Sequence, residues 1–326
     1  MRRLRSLALP VLISVVVALI ATLFPPAASA QSRLKVVSSV APIANLIRNI
    51  AGPRIDLVQL IPDGIDSHTF EPRPSDARAM AEADLFILNG LDLEAPTLRM
   101  IQANQKQGSQ ILLLADGTIT RDQWIFDFSF PESRGHPNPH LWLNVAYARR
   151  YAELIRDKLV EMDPANADYY QANATELISR LDQLDQAIQT AAQTVPPQNR
   201  RLLTYHDSWA YWAPRYGFEV IGAIQPSDFS EPRPRDVAAL VEQVRRENLP
   251  AIFGSEVYPS RVLEVIGRET GARFVDSLRD DDLPGAPGAP EHSYIGMMLA
   301  NMRTMMTALG GSDAAFNGID PSNVAH

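Results

Sequence analysis

Short apolar runs alternate with longer amphipathic segments along most of the chain, beginning at Leu34. In the first half, a loop or a helical pattern follows each of the runs LKVVSSV, DLVQLI, LFIL and ILLL. After residue 200 the arrangement returns with RLLTY, FEVIGAI, AIFG and ARFV. Strands and helices that alternate at this spacing predict parallel βα units. We therefore expect an α/β fold with two lobes, each built on a parallel sheet.

The segment between the two halves has the pattern of one long amphipathic helix. From Asn166 to Val195, apolar residues recur at three- and four-residue spacing among Asp, Gln and Arg. Pro196 and Pro197 end the pattern, because proline cannot continue a helix. The helix should join the lobes stiffly and disfavour a large hinge motion. The predicted organisation is an N-terminal lobe at 31–165, a linker helix at 166–195, a C-terminal lobe at 196–309 and a tail at 310–326. The tail is rich in Gly, Asp, Asn, Ser and Pro, and we expect it to be flexible.

The first thirty residues follow the pattern of a secretory signal peptide. They contain three arginines, then an apolar run, then an A-S-A ending. We expect cleavage after Ala30 and a periplasmic protein, with an uncleaved anchor from Leu7 to Phe24 as the alternative. The sequence has no cysteine, and so no lipobox, disulfide or thiolate metal ligand. Cleavage would leave 296 of the 326 residues, which is enough for two lobes.

The charge of the mature chain favours cations as binding partners. Removing residues 1–30 takes away three arginines and no acid, so the formal net charge changes from -8 to -11. An acidic surface repels nucleic acid and anionic lipid and attracts cations. We therefore expect no nucleic-acid partner.

Four residues that suit a divalent metal stand in loops or at the ends of predicted strands. They are His68, His140 and His206, together with Asp276 after the run GARFV. Loops that follow parallel strands meet at one rim of a sheet, so these side chains could meet in a cleft with two ligands from each lobe. Three neutral imidazoles and one carboxylate would complete a tetrahedral shell. For each histidine, a capping or partly buried structural role is the alternative.

Several motifs resemble those of a known family, and they occur in the expected order. The resemblance rests on PDGIDSHTFEPRPSD, LNGLDLE, NPHLWLN, TYHDSWAYWAPRYGF, FGSE and VDS…YIGMM. From about Leu34 to about Leu309, the chain is similar to the zinc/manganese-type (cluster A-I) solute-binding proteins of ABC transporters. This resemblance implies two lobes joined by one long helix, a metal buried between them, and a cognate ABC permease in the inner membrane as partner. It also implies that the ligands are His68, His140, His206 and Asp276. The match at Asp276 is short, and Asp280, Asp281 and Asp282 are nearby alternatives for the fourth ligand.

The resemblance bears on the metal as well. The third ligand of this family is His or Glu, and here it is His206. Three imidazoles favour Zn²⁺, with Mn²⁺ or iron as the alternative cargo. We expect His136 to sample incoming metal from a short loop, and Glu256, Asp207 or Asp66 to orient a ligand imidazole. We also expect a monomer, with a periplasmic metallochaperone as a further partner to consider.

Two other classes of function remain alternatives to a receptor. A zinc hydrolase would need an open coordination position, which Asp276 would fill, and neither H-E-x-x-H nor G-x-S-x-G occurs. We therefore expect no enzyme. A purely structural metal would hold the lobes together, and its removal would unfold them. Because only neutral imidazole binds metal, we expect affinity to weaken as the pH falls through about 6.5.

Overall fold

The computed structural model describes residues 32–225, 232–255 and 261–325, and Leu34–His326 form one compact unit. Two four-stranded parallel sheets organise this unit, which confirms the α/β fold with two lobes. The strands are β1 (Leu34–Ser38), β2 (Ile55–Gln59), β3 (Leu85–Leu88), β4 (Gln110–Leu113), β5 (Arg201–Thr204), β6 (Glu219–Ala223), β7 (Ala251–Ser255) and β8 (Arg273–Leu278). Their orders are β2-β1-β3-β4 and β6-β5-β7-β8, so the two lobes share one topology.

Helices connect and cover these strands. They are α1 (Ala41–Ala51), α2 (Asp76–Glu82), α3 (Ala95–Asn104), α4 (Val145–Met162), α5 (Ala167–Thr194), α6 (Trp212–Tyr216), α7 (Pro234–Glu247), α8 (Arg261–Thr270) and α9 (Tyr294–Ala308). Within the described ranges, no helix combines the length and the apolar composition needed to cross a bilayer. The expected signal peptide, its cleavage point after Ala30 and the candidate Glu256 lie outside the described residues.

The helix α5 is the long connector that the sequence pattern predicts. Its 28 residues span about 42 Å at the usual rise per residue. One face buries Leu177, Leu181, Leu184 and Ile188, whose spacing of three and four residues places them on a single stripe. This helix packs against α1 and α4 of the first lobe and against α6 and α9 of the second. It therefore runs along both lobes.

The two lobes also share apolar packing. One cluster of buried side chains includes Trp142 and Tyr151 from the first half of the chain and Trp212, Phe253 and Tyr294 from the second. The hydroxyl of Tyr294 donates to the main-chain oxygen of Trp142 at 2.6 Å. The lobes are thus held by a common core as well as by α5.

The tail at 310–326 differs from the flexible segment that its composition predicts. Phe316 is fully buried and belongs to the apolar core. The side-chain oxygen of Asn323 accepts hydrogen bonds from Asn45 and Asn49 of α1, at 3.0 and 2.8 Å. Buried Phe316, these amide bonds and the ion pairs of Asp313 with Arg303 and Asp320 with Arg180 hold the described part of this segment, and bulk composition reveals none of these contacts.

Candidate metal centre

Three histidines distant in sequence converge at one point between the lobes. The ligand atoms of His68, His140 and His206 all lie within 4.8 Å of one another. Nε2 of His68 is 3.2 Å from Nε2 of His140. The three ring centroids are 4.9 to 5.1 Å apart, so the rings form a nearly equilateral triangle. Nitrogens gathered in this way can bind one divalent cation.

The parallel sheets explain why these loops meet. His68 lies in the loop that follows β2, and His206 comes two residues after the end of β5. His140 immediately precedes the 3₁₀ turn Leu141–Leu143, which leads into α4. Loops after the carboxyl ends of parallel strands open at one rim of a sheet, and in this protein loops from both lobes reach the histidine cluster. His68 and His140 therefore come from one lobe and His206 from the other.

Asn138 holds the ring of His140 in a defined orientation. Its side-chain oxygen accepts hydrogen bonds from the main-chain N–H of His140 and from Nδ1, both at 2.9 Å. Its amide nitrogen donates to Oδ2 of Asp127 at 2.7 Å and to the main-chain oxygen of Asp207 at 2.6 Å. A hydrogen bond at Nδ1 leaves Nε2 as the nitrogen of His140 that could accept a metal ion. The amide also links the two lobes at the site.

Burial keeps the three imidazoles neutral. Removal from water lowers the pKa of His68 to about 4. It holds the pKa values of His140 and His206 well below their ordinary range, and the neighbouring imidazoles lower both further. Neutral imidazole is the form that binds a metal ion, so the site is ready to do so at neutral pH. Three neutral nitrogens match the donor set that zinc and other late divalent metals prefer.

Comparison with known proteins also indicates a metal-binding protein. The family model described as zinc-uptake complex component A, periplasmic (ZnuA), matches residues 36–308. The chain belongs to this family. Its members are solute-binding components of ABC transporters, so the chain is a metal-binding transport protein with a cognate permease, and it is not an enzyme.

Relatives of this family member are named for more than one metal. The chain is 29% identical over 276 residues to the manganese-binding lipoprotein MntA of Halalkalibacterium halodurans, covering 85% of this chain and 88% of that protein. The periplasmic zinc-binding protein TroA from Treponema pallidum superposes with a TM-score of 0.76 at 26% identity, covering 85% and 99% of the two chains. A manganese-bound periplasmic metal-binding protein from Candidatus Liberibacter asiaticus gives 0.74 at 27% identity, covering 85% and 100%.

The structure does not bring Asp276, the expected fourth ligand, to the histidines. Asp276 lies within β8 with an exposed side chain, outside the group of described residues whose ligand atoms converge. The strand continues to Leu278, and Val275 and Leu278 occupy the buried positions at 5% and 2% exposure. Because these apolar residues take the inward positions, Asp276 faces solvent.

Two aspartates that follow β8 are buried instead. Asp280 borders the same small cavity as His206, of about 10 Å³, and accepts a hydrogen bond from the hydroxyl of Ser208. Asp281 accepts from the main-chain N–H of Ser67 at 3.0 Å, next to the first histidine. Burial raises the pKa of Asp280 to about 6 and holds that of Asp281 well above its usual range. A nearby bound cation would favour the ionised form of either carboxyl group.

Asp66 and Asp207, the described candidates for orienting a ligand imidazole, make hydrogen bonds that involve main-chain atoms. Oδ1 of Asp66 accepts from the main-chain N–H of His68 at 2.9 Å, so it shapes the loop. Asp207 contributes its main-chain oxygen to Asn138 and its N–H to the hydroxyl of Ser129 at 3.0 Å. Burial, and then the charge of Asp127, raise the pKa of the Asp207 carboxyl well above its usual value.

His136 lies at the edge of a cavity that reaches the site. Its Nδ1 is 2.7 Å from Oδ2 of Asp92, and both side chains are more than half exposed. His136, Asp92 and His68 border a common cavity of about 200 Å³. An exposed imidazole–carboxylate pair therefore shares a cavity with His68.

Sequence reasoning missed two residues that shape the site. Asn138 stands in the motif NPH, and its position two residues before His140 is a signal that could have identified it as a capping residue. Phe130 packs against all three histidine rings, and no local pattern in its loop indicates this contact.

Proposed function

We propose that this protein captures zinc in preference to manganese in the periplasm and delivers it to its permease. The convergence of three neutral imidazoles, two of them buried and that of His68 partly buried, carries the proposal. Imidazole suits zinc, whereas manganese prefers oxygen ligands and a higher coordination number. Relatives named for manganese or zinc support a divalent cargo, and the histidine at position 206 supports zinc among these metals.

Replacing the third histidine, His206, tests the preference for zinc over manganese. Metal analysis and competitive titration of the mature chain should show tighter binding of Zn²⁺ than of Mn²⁺. His206→Glu replaces a nitrogen donor with oxygen and should shift the ratio of affinities toward Mn²⁺. His292→Ala is the matched control, because Nδ1 of His292 contacts the main-chain oxygen of Pro284 away from the three histidines. An unchanged ratio in His206→Glu would exclude residue 206 as the selector.

The fourth ligand is proposed to be a carboxylate from β8 or the loop that follows it. Asp276 is the residue that the sequence resemblance implies, and Asp280 is the one placed beside His206. Asp276→Asn and Asp280→Asn remove one charge each with little change in volume. The variant with the larger loss of zinc affinity identifies the ligand, and no loss in either would exclude both residues and leave the buried Asp281 as the remaining carboxylate next to the histidines.

His136 and Asp92 are proposed to bind incoming metal transiently. Their exposed pair borders the cavity that reaches His68, and its two ligands are too few for a closed zinc site. His136→Ala should slow zinc association in stopped-flow measurements and leave the equilibrium affinity unchanged. Equal association rates in the variant and the wild type would exclude this role.

The proposal also includes the cellular setting. We expect export with cleavage after Ala30, a monomeric mature protein, and loading directly or through a periplasmic metallochaperone. Mass spectrometry of the exported chain tests the cleavage point, and sedimentation equilibrium tests the monomer. The rate of zinc transfer from a candidate metallochaperone tests that partner. A rate no faster than transfer from a small chelator would exclude it.

A further inference from the structure

Phe130 covers one face of the triangle that the three histidine rings form. Its ring centroid lies 5.4 Å from that of His68, 5.7 Å from that of His140 and 5.5 Å from that of His206. The four rings therefore occupy the corners of an almost regular tetrahedron. Phe130 is 9% exposed, so its ring is part of the wall of the site.

The main chain around Phe130 is held on both sides. Oδ1 of Asp127 accepts from the N–H groups of Ser129 and Phe130 at 3.0 and 2.9 Å. The N–H of Asp127 donates to the main-chain oxygen of Phe130 at 3.0 Å, which closes a tight turn. The hydroxyl of Ser129 accepts from the N–H of Asp207 in the other lobe. Moving the main chain that carries the ring would require breaking several of these bonds.

The aromatic ring also separates the site from open space. Phe130 and His68 border the cavity of about 200 Å³ described above, whereas His140 and His206 are not among its lining residues. Phe130 contacts both of those buried rings. Water in the cavity must therefore displace Phe130 to approach a metal from this face.

We infer that Phe130 is a specificity-determining residue that limits the coordination number of the bound metal. This inference rests on the proposed metal site. With one face of the histidine triangle covered by an apolar ring, the metal can take three imidazoles and one further ligand from the other face. Zinc is stable in a tetrahedral shell of this kind. Manganese prefers six ligands, and the Phe130 ring excludes the water molecules that would complete its shell. The ring therefore disfavours manganese.

Cobalt reports the coordination number directly, since tetrahedral Co²⁺ absorbs visible light far more strongly than six-coordinate Co²⁺. The Co²⁺-loaded wild type should show the intense tetrahedral bands. Phe130→Ala should weaken them several-fold, because water enters from the cavity. The ratio of Mn²⁺ affinity to Zn²⁺ affinity should rise roughly tenfold or more in the same variant. Phe130→Leu keeps most of the apolar volume, so its band intensity and affinity ratio should lie between those of the wild type and Phe130→Ala. It replaces the alanine variant if that variant folds poorly.

Phe128→Ala is the matched control. It removes an aromatic ring from the same loop at a position that is 54% exposed, and should leave spectrum and affinity ratio unchanged. A six-coordinate spectrum in the wild type, or unchanged spectra and ratios in both Phe130 variants, would overturn the inference while leaving metal binding intact. Absence of metal binding by the wild type would instead refute the proposed function.

Discussion

Replacing Asn138 with alanine removes the amide that joins His140 to the second lobe. The side chain is fully buried, and the substitution deletes the four hydrogen bonds to His140, Asp127 and Asp207. At about 1 kcal/mol for each bond, the free energy of unfolding should fall by roughly 4 kcal/mol. Zinc affinity should fall roughly 10- to 100-fold, because Nδ1 of His140 loses the acceptor that orients the ring.

Two measurements on the metal-free and metal-loaded chain check this prediction. Urea unfolding followed by circular dichroism gives the change in stability, and competition with a chelator gives the change in zinc affinity. Asn104→Ala is the control, since its amide makes one exposed hydrogen bond to Met100 at 2.8 Å. That variant should change the free energy of unfolding by less than about 1 kcal/mol.

Stability and zinc affinity together show whether Asn138 orients the ring of His140 or only supports the fold. A large loss of stability with an unchanged zinc affinity would show that Asn138 supports the fold but does not orient His140. A loss of less than about 1 kcal/mol would refute the reasoning altogether, because four buried hydrogen bonds would then contribute almost nothing.

Three further predictions concern pH, the tail and metal removal. With Asp280 as fourth ligand, zinc affinity measured by chelator competition should fall only about tenfold between pH 7.5 and pH 5, because the pKa of Asp280 lies at about 6, and should fall more steeply near pH 4, where His68 takes up its proton. This replaces the window near 6.5 expected from free imidazole, and a roughly tenfold loss between pH 7 and 6 would contradict it. The lowered pKa of His68 makes the metal-free chain less stable as pH falls from about 6.5 to 4, since the unfolded chain takes up the His68 proton first. Phe316→Ala should cost about 3 to 5 kcal/mol in urea unfolding, and a cost below about 1 kcal/mol would mean that the tail is not anchored as described. Chelation should leave the far-ultraviolet circular dichroism unchanged, because both lobes share one apolar core, and a loss of helical signal would support a structural metal instead.

The fold could be predicted from the sequence because buried parallel strands need nearly continuous apolar runs. Each run named from the sequence contains or overlaps one of the strands β1 to β8. The linker helix was equally clear, since its stripe of leucines extends over many turns and prolines follow it. His206 follows a strand directly and His68 and His140 stand in loops, which indicated a common rim, but their separation in sequence required a family resemblance to select them.

The rest of the site depends on contacts between loops, which local patterns do not encode. Asp276 follows an apolar run that looks complete at Val275, whereas the strand continues to Leu278 and turns the carboxylate outward. Phe130 is one of several aromatic residues in its loop, and only the folded arrangement distinguishes it from the exposed Phe128. The tail was misjudged because one buried phenylalanine outweighs a polar composition.

The helix α5 has a consequence for how a permease recognises the loaded protein. A helix of 28 residues packed along both lobes, together with Asn323 bonded to α1, should disfavour a large hinge motion of one lobe away from the other. Loaded and empty forms should then have nearly the same outline. We therefore expect the transporter to sense loading through the order of the loops around the histidines, and the rate of unloading to depend on how often those loops open.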